Sequence, residues 1–136
     1  MIYLDNAATS FPKPSKVYEE VLNCMKNYCA NPGRGSHDMA IKSAMKVMET
    51  RNLICELFNI KDPFNLIFTS NATEALNIAI KGVLKNGDHV ISTVIEHNSV
   101  LRPLNSMEKQ GVEITLVGVD KAGYVNPLDI KNEIKK

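Results

Sequence analysis

The chain has 136 residues, 44% hydrophobic and 23% charged, the size and composition of one ordinary soluble domain. Lysine and arginine number 16 and aspartate and glutamate 15, a net charge of +1 that lacks the basic excess demanded by nucleic acid or an acidic membrane surface. No apolar run approaches the roughly 18 residues of a membrane span, and Met1 to Pro14 has neither the basic region nor the apolar core of a signal peptide.

In chain order, residues 1–14 read as an extended, turn-rich segment, because Pro12 and Pro14 disfavour helix before Ser15. Ser15 suits an N-cap, and Val17, Val21, Met25 and Tyr28 follow at helical spacing. The glycines and proline of Ala30 to His37 predict a loop. A long helix is expected over Asp38–Phe58, with Ala40, Ala44, Val47, Met48, Ile54 and Phe58 on or near one face. Leu66 to Thr69 is β-prone and is expected to be a strand. Ala72 to Leu84 reads as a helix stopped by Asn86-Gly87. Val90–Ile95 is nearly all apolar or β-branched, as a strand buried on both faces is. A helix over Ser99–Gln110, a third strand over Glu113–Val119 and a turn at Asp120–Tyr124 follow. Asn126-Pro127 opens a last helix, with Asn as cap and Pro at the first helical position.

From Leu66 onward strand and helix alternate, which predicts an α/β fold with a parallel sheet, right-handed crossovers and flanking helices. Such sheets bind ligands beyond the carboxyl ends of their strands. Two junctions qualify. At the first, Ser70-Asn71-Ala72-Thr73, a helix start offers unpaired N–H groups and a partial positive charge to an anion; the plainer reading is a helix cap at Ser70 or Asn71. At the second, Glu96 to Ser99, His97 is either a ligand-facing ring or an ordinary loop histidine. The spacing of Cys24, Cys29, Cys55 and the three histidines matches no common zinc motif, so no metal is expected. Three cysteines in helical patterns, without a secretion signal, predict reduced thiols packed as small hydrophobes and a cytoplasmic location.

Four short motifs occur in order: YLDNAATS from Tyr3, NPGRGSH from Asn31, FTSNATEALN from Phe68 and EHNSVLRP from Glu96. Together they resemble the pyridoxal-phosphate-dependent cysteine desulfurases and selenocysteine lyases of the class V aminotransferase family, and the resemblance runs the length of the chain. It implies the N-terminal part of the fold type I large domain, with residues 1–14 reaching the active site and 15–136 opening the cofactor domain. It implies that Asn71, Ala72 and Thr73 hold the cofactor phosphate and that His97 stacks on the pyridine ring and takes part in proton transfer. Glycine often stands in the family where this chain has Asn71, one of the few other residues that tolerate a left-handed backbone. The resemblance further implies substrate contact by Asn6, Ala7 and Ala8, and a loop near the active-site mouth carrying Arg34 and His37, with Gly33 and Gly35 supplying backbone freedom. Glu74 reads as a first-turn acid matching the helix dipole.

The family's cofactor lysine follows a histidine, and no His-Lys pair occurs here. The aspartate for the ring nitrogen, the persulfide cysteine and the carboxylate-binding arginine belong to later parts of the family's chain. The resemblance therefore implies an inactive front portion of an enzyme that converts L-cysteine, or L-selenocysteine, to alanine and passes sulfur to an enzyme cysteine and an acceptor protein, as in iron–sulfur cluster assembly. Another class V enzyme is the alternative, and a non-catalytic associating fragment is the reading from another class. A sheet lacking neighbours predicts a homo-oligomer.

Overall fold

The computed structural model describes residues 2–135. The chain divides into two compact units, Met1–Ile67 and Phe68–Lys136.

The first unit begins with a loop that closes on itself. The Asp5 carbonyl accepts from Ala8 N–H (3.2 Å), so Asn6 to Ala8 form a turn within the extended, turn-rich segment that the sequence predicts. Asn6 Oδ1 accepts from Phe11 N–H (3.2 Å). The Tyr3 hydroxyl donates to the Thr9 carbonyl (2.8 Å), and its ring meets Phe11 edge-on at 5.6 Å. The Phe11-Pro12 peptide is cis.

Helix α1 spans Ser15–Asn27. Pro14 occupies the cap position and Ser15 is the first helical residue, with no side-chain cap bond, which corrects the reading of Ser15 as the cap. The proline ring fixes φ near −53° while ψ stays extended at 143°, so the helix starts one residue later. Helix α2 spans Asp38–Phe58, as the sequence predicts. His37 caps it through Nδ1, which accepts from Ala40 N–H, and Asn59 closes it in the left-handed region (φ 58°). Ala40, Ser43 and Cys55 are its buried residues. The Ser43 hydroxyl donates to the Tyr28 carbonyl and accepts from Ala30 N–H at 3.3 Å, pinning the end of α1 to α2. A short 3-10 turn, Pro63–Asn65, follows.

In the second unit, α3 (Ala72–Val83), β1 (His89–Thr93), α4 (Asn98–Glu108), β2 (Glu113–Val117) and α5 (Pro127–Asn132) follow in order. Strands β1 and β2 pair in parallel, from His89 with Glu113 to Thr93 with Val117. Pro103, Leu104, Met107, Val112 and Val117 form the buried core. Parallel strands need a long crossover, and α4 supplies it.

The strands are shorter than expected at their carboxyl ends, although Val94 N–H still donates to the Val117 carbonyl (3.0 Å). Leu66 to Thr69 is not a strand. Leu66 has extended torsions (φ −100°, ψ 122°), but the segment joins no ladder among the described residues. Strand formation is a matter of pairing rather than local propensity, and no neighbour is there to accept its backbone groups.

Gly111, at φ +91°, is required twice over: the torsion is left-handed, and a Cβ there would meet the Asn86 side chain at 2.9 Å. Gly35 serves space rather than freedom. It lacks a positive φ, but a Cβ there would lie 2.6 Å from that of Ala40.

Candidate functional site: two capped helix starts

Both junctions singled out in the sequence fall in the second unit, at the starts of α3 and α4, and these two helices pack together. The first is closed from within. Asn71 Oδ1 accepts from Glu74 N–H (2.9 Å), and the Asn71 carbonyl accepts from Ala75 N–H (3.2 Å) and from the Thr69 hydroxyl (3.0 Å). Glu74 reaches back so that its carboxylate accepts from Ser70 N–H at 2.7 Å. That bond holds the Glu74 carboxyl below the usual range for a carboxylic acid. The reciprocal pattern is a capping box displaced by one residue.

The cap reading of Asn71 is therefore correct as geometry. Its torsions, φ −167° and ψ 169°, are extended backbone that any residue adopts, so tolerance of the left-handed region plays no part. What the cap leaves over is the notable feature. The N–H groups of Asn71, Ala72 and Thr73 have no hydrogen-bond partner among the described residues, nor does the Thr73 hydroxyl. All three residues are exposed. Consecutive unpartnered N–H groups at the positive end of a helix form an anion cradle.

The second start is capped by His97. Its Nδ1 accepts from Ser99 N–H (3.1 Å) and lies 2.9 Å from the Ser99 hydroxyl. A backbone N–H is only a donor, so Nδ1 is the acceptor and the neutral ring carries its proton on Nε2. Beside it, Thr93 at the end of β1 donates its hydroxyl to Glu96 (3.0 Å), fixing the loop that presents His97. The sequence did not disclose this capping role; only the short Ser at position 99, two residues on, hinted at it. The bonds of Glu74 to Ser70 and of Thr69 to Asn71 were also unread, since each depends on the turn's actual torsions.

Asn6, Ala7 and Ala8 lie in the first unit, in the turn described above. Arg34 lies in the exposed loop between α1 and α2, and His37 is the α2 cap. Among the described residues no cluster of three or more metal-ligating side chains occurs, and no helix is long and apolar enough to cross a membrane.

A cysteine desulfurase IscS of Dictyoglomus turgidum is 37% identical over 139 residues, covering 99% of this chain and 34% of that protein. A probable cysteine desulfurase of Methanothermobacter thermautotrophicus is 32% identical over 134 residues, covering 98% of this chain and 33% of the relative. The apo cysteine desulfurase of Thermococcus onnurineus superposes with a TM-score of 0.85 at 30% identity, over 98% of this chain and 34% of that structure. DndA of Streptomyces lividans superposes with a TM-score of 0.76 at 28% identity. The chain thus spans about a third of the length of the relatives it matches, and its architecture is the N-terminal part of their fold type I transferase fold. The family description "Aminotransferase class-V" matches residues 2–136, and the chain belongs to that family.

Proposed function

We propose that this chain forms the phosphate-holding part of a cysteine desulfurase. The observation that carries this reading is the α3 start, where three consecutive N–H groups and the Thr73 hydroxyl stand unpartnered in a helix N-terminus. The same turn fits a phosphate monoester in a second respect. Glu74, the one acid in that turn, is drawn back onto Ser70 N–H, which leaves the cradle to an incoming anion.

Pyridoxal 5'-phosphate, when bound, supplies an electron sink that weakens the Cβ–Sγ bond of L-cysteine. The chain's own residues supply placement. Asn71, Ala72 and Thr73 bind the phosphate. His97, its Nδ1 committed to the α4 cap, would stack on the pyridine ring and take part in proton transfer. Asn6, Ala7 and Ala8 contact substrate in this reading, residues 1–14 reach the active site, and 15–136 open the cofactor domain.

None of the histidines precedes a lysine, so by this reading the chain alone releases no sulfide. The desulfurase names of the relatives favour L-cysteine over L-selenocysteine. A sulfur-acceptor protein and iron–sulfur cluster assembly belong to the same reading, as the sequence resemblance implies, and reduced thiols in the cytoplasm suit that work. Association into a homo-oligomer is supported by large apolar side chains left exposed within each unit, among them Met25, Leu53 and Leu57 in the first and Val94, Ile95 and Leu116 in the second.

The test uses isotope-labelled chain and three probes: pyridoxal phosphate, inorganic phosphate and pyridoxal. The two phosphates should shift the amide resonances of Asn71, Ala72 and Thr73, and pyridoxal should leave them in place. Pyridoxal phosphate binding that moves other amides and spares these would overturn the assignment. Sulfide release from L-cysteine and pyridoxal phosphate at an enzyme-like rate would overturn the inactivity. A clean monomer by light scattering at low micromolar concentration would overturn the oligomer.

A further inference from the structure

Strand β2 has one partnered edge and one bare edge. Its register with β1 is unbroken from His89–Glu113 to Thr93–Val117, so the strand carries no bulge. Glu113 N–H donates to the Asp88 carbonyl (2.8 Å), and the Val117 carbonyl accepts from Val94 N–H (3.0 Å). Those two bonds frame the ladder. Alternate residues of a strand turn their backbone groups to opposite sides, so Glu113, Thr115 and Val117 serve β1 while Ile114 and Leu116 face away from it. The N–H and C=O groups of Ile114 and Leu116, and the N–H of Gly118, have no hydrogen-bond partner among the described residues. Edge strands are commonly blunted by lysine, proline or a bulge. β2, Glu-Ile-Thr-Leu-Val, has none of these.

The bare edge opens onto a groove. After β2 the chain turns back at Asp120, whose Oδ1 accepts from Ala122 N–H (2.8 Å) and Tyr124 N–H (2.9 Å), and α5 follows. Between β2 and α5 lies a cavity of about 700 Å³, walled in part by Asp120, Tyr124, Asp129 and Glu133. Among the described residues no lysine, arginine or histidine lines it. Asp129 accepts from the Asn126 amide at 3.4 Å, and no cation among the described residues pairs with Glu133. A Cβ at Gly118 would meet nothing within 4 Å, so the space beside the strand's end is open.

We propose that this groove binds an extended peptide segment rich in lysine or arginine, which adds a strand to the outer edge of β2. Backbone groups of the segment pair with those of Ile114 and Leu116, and its alternate, cationic side chains reach Asp129 and Glu133. The charge also decides against a second copy of this chain at this edge. A symmetric pairing would bring a second set of the same acids to the groove, like charge against like. A basic segment meets the groove with opposite charge. The amides concerned are distinct from those of Asn71, Ala72 and Thr73, so the groove and the phosphate cradle stand or fall separately.

The experiment titrates isotope-labelled chain, at low salt, with a short peptide of alternating lysine and valine. One control peptide has glutamate in place of lysine, and another has every backbone nitrogen methylated. The lysine peptide should shift the amide resonances of Ile114, Leu116 and Gly118 and slow hydrogen exchange at the first two; neither control should do so. Asp129→Asn combined with Glu133→Gln should weaken its binding roughly tenfold, as the loss of two exposed ion pairs does, while the resonances of buried Leu104 and Met107 stay in place. Equal binding of the glutamate peptide or unaltered binding to the double variant would remove the role of charge, and equal binding of the methylated peptide would remove the added strand. Concentration-dependent protection of Ile114 and Leu116 without peptide would give the edge to a second copy. Each of these results, or lysine-peptide binding that moves other amides and spares these, would overturn the proposal.

Discussion

The two units are held together by different means. The second has an apolar core built by a strand–helix–strand crossover, with Leu104, Met107, Val112 and Val117 enclosed between α4 and the sheet. The first has two helices, α2 capped at both ends and α1 without a side-chain cap, but buries only Ala40, Ser43 and Cys55 within α2 and nothing within α1. Val21, Leu22, Met25, Met45, Leu53 and Leu57 all lie exposed. What fixes the first unit is polar: the Ser43 clamp, and the Glu20–Lys46 pair with the Tyr28 hydroxyl on the same carboxylate. Helices form from local signals, whereas a core needs a second surface. The first unit has the signals and leaves its apolar faces uncovered.

The sharpest way to break this contrast is to truncate one leucine in each unit. Leu104→Ala, at 2% exposure, should cost about 2–5 kcal/mol in urea unfolding, as buried leucines do. Leu53→Ala, 59% exposed, should stay within about 0.5 kcal/mol. An equal cost at Leu53 would mean that α2 is covered in solution.

Ser43→Ala is the next largest test. It strips the Tyr28 carbonyl and Ala30 N–H of a shared partner near the buried side of α2, a loss of about 1–3 kcal/mol. If the polar clamp is what holds the first unit, backbone amide exchange should speed up around Tyr28 and Ala30 and remain unchanged in α4. Uniform acceleration would erase the distinction between the units.

The contrast also bears on what could be read beforehand. The bounds of α2 were legible from twenty-one residues of helical periodicity after a glycine- and proline-bearing loop, although the left-handed Asn59 that closes the helix was not read. The Asn126 cap and Pro127 start were equally plain. These are local facts. Leu66–Thr69 had the composition of a strand, but a ladder requires a neighbour, which no local pattern supplies. At the candidate site, Asn71 was legible as a cap by residue type. That the cap would spare three N–H groups was not, because the count depends on Glu74 choosing Ser70.

Two smaller measurements sharpen the polar side of the second unit. Asn71→Ala removes the partner of Glu74 N–H and should cost about 0.5–2 kcal/mol, the usual range for a lost N-cap. The smallest effect is one of pH. The Ser70 bond depresses the Glu74 carboxyl in the folded chain, so its contribution is present above the ordinary carboxylate range and is lost as pH falls through the folded value. Glu74→Gln should flatten the acid limb of a stability–pH profile and leave the neutral limb alone. An unchanged acid limb would show that the bond has no energetic weight.

The register of β1 with β2 has a consequence in time. His89 meets Glu113, and Thr93 meets Val117, across some two dozen intervening residues. No hairpin can nucleate that pairing. The chain must first close a loop long enough to contain the whole of α4, and the entropy of that closure is spent before the first ladder bond forms. The turn at Gly87, whose N–H donates to the Gly111 carbonyl at 2.9 Å, is the first contact of the closed loop and lies at the sheet's entry edge. Substitution of Gly111 should therefore slow refolding of the second unit as well as weaken it, whereas truncation of exposed Leu128 on α5 should leave the refolding rate where it was.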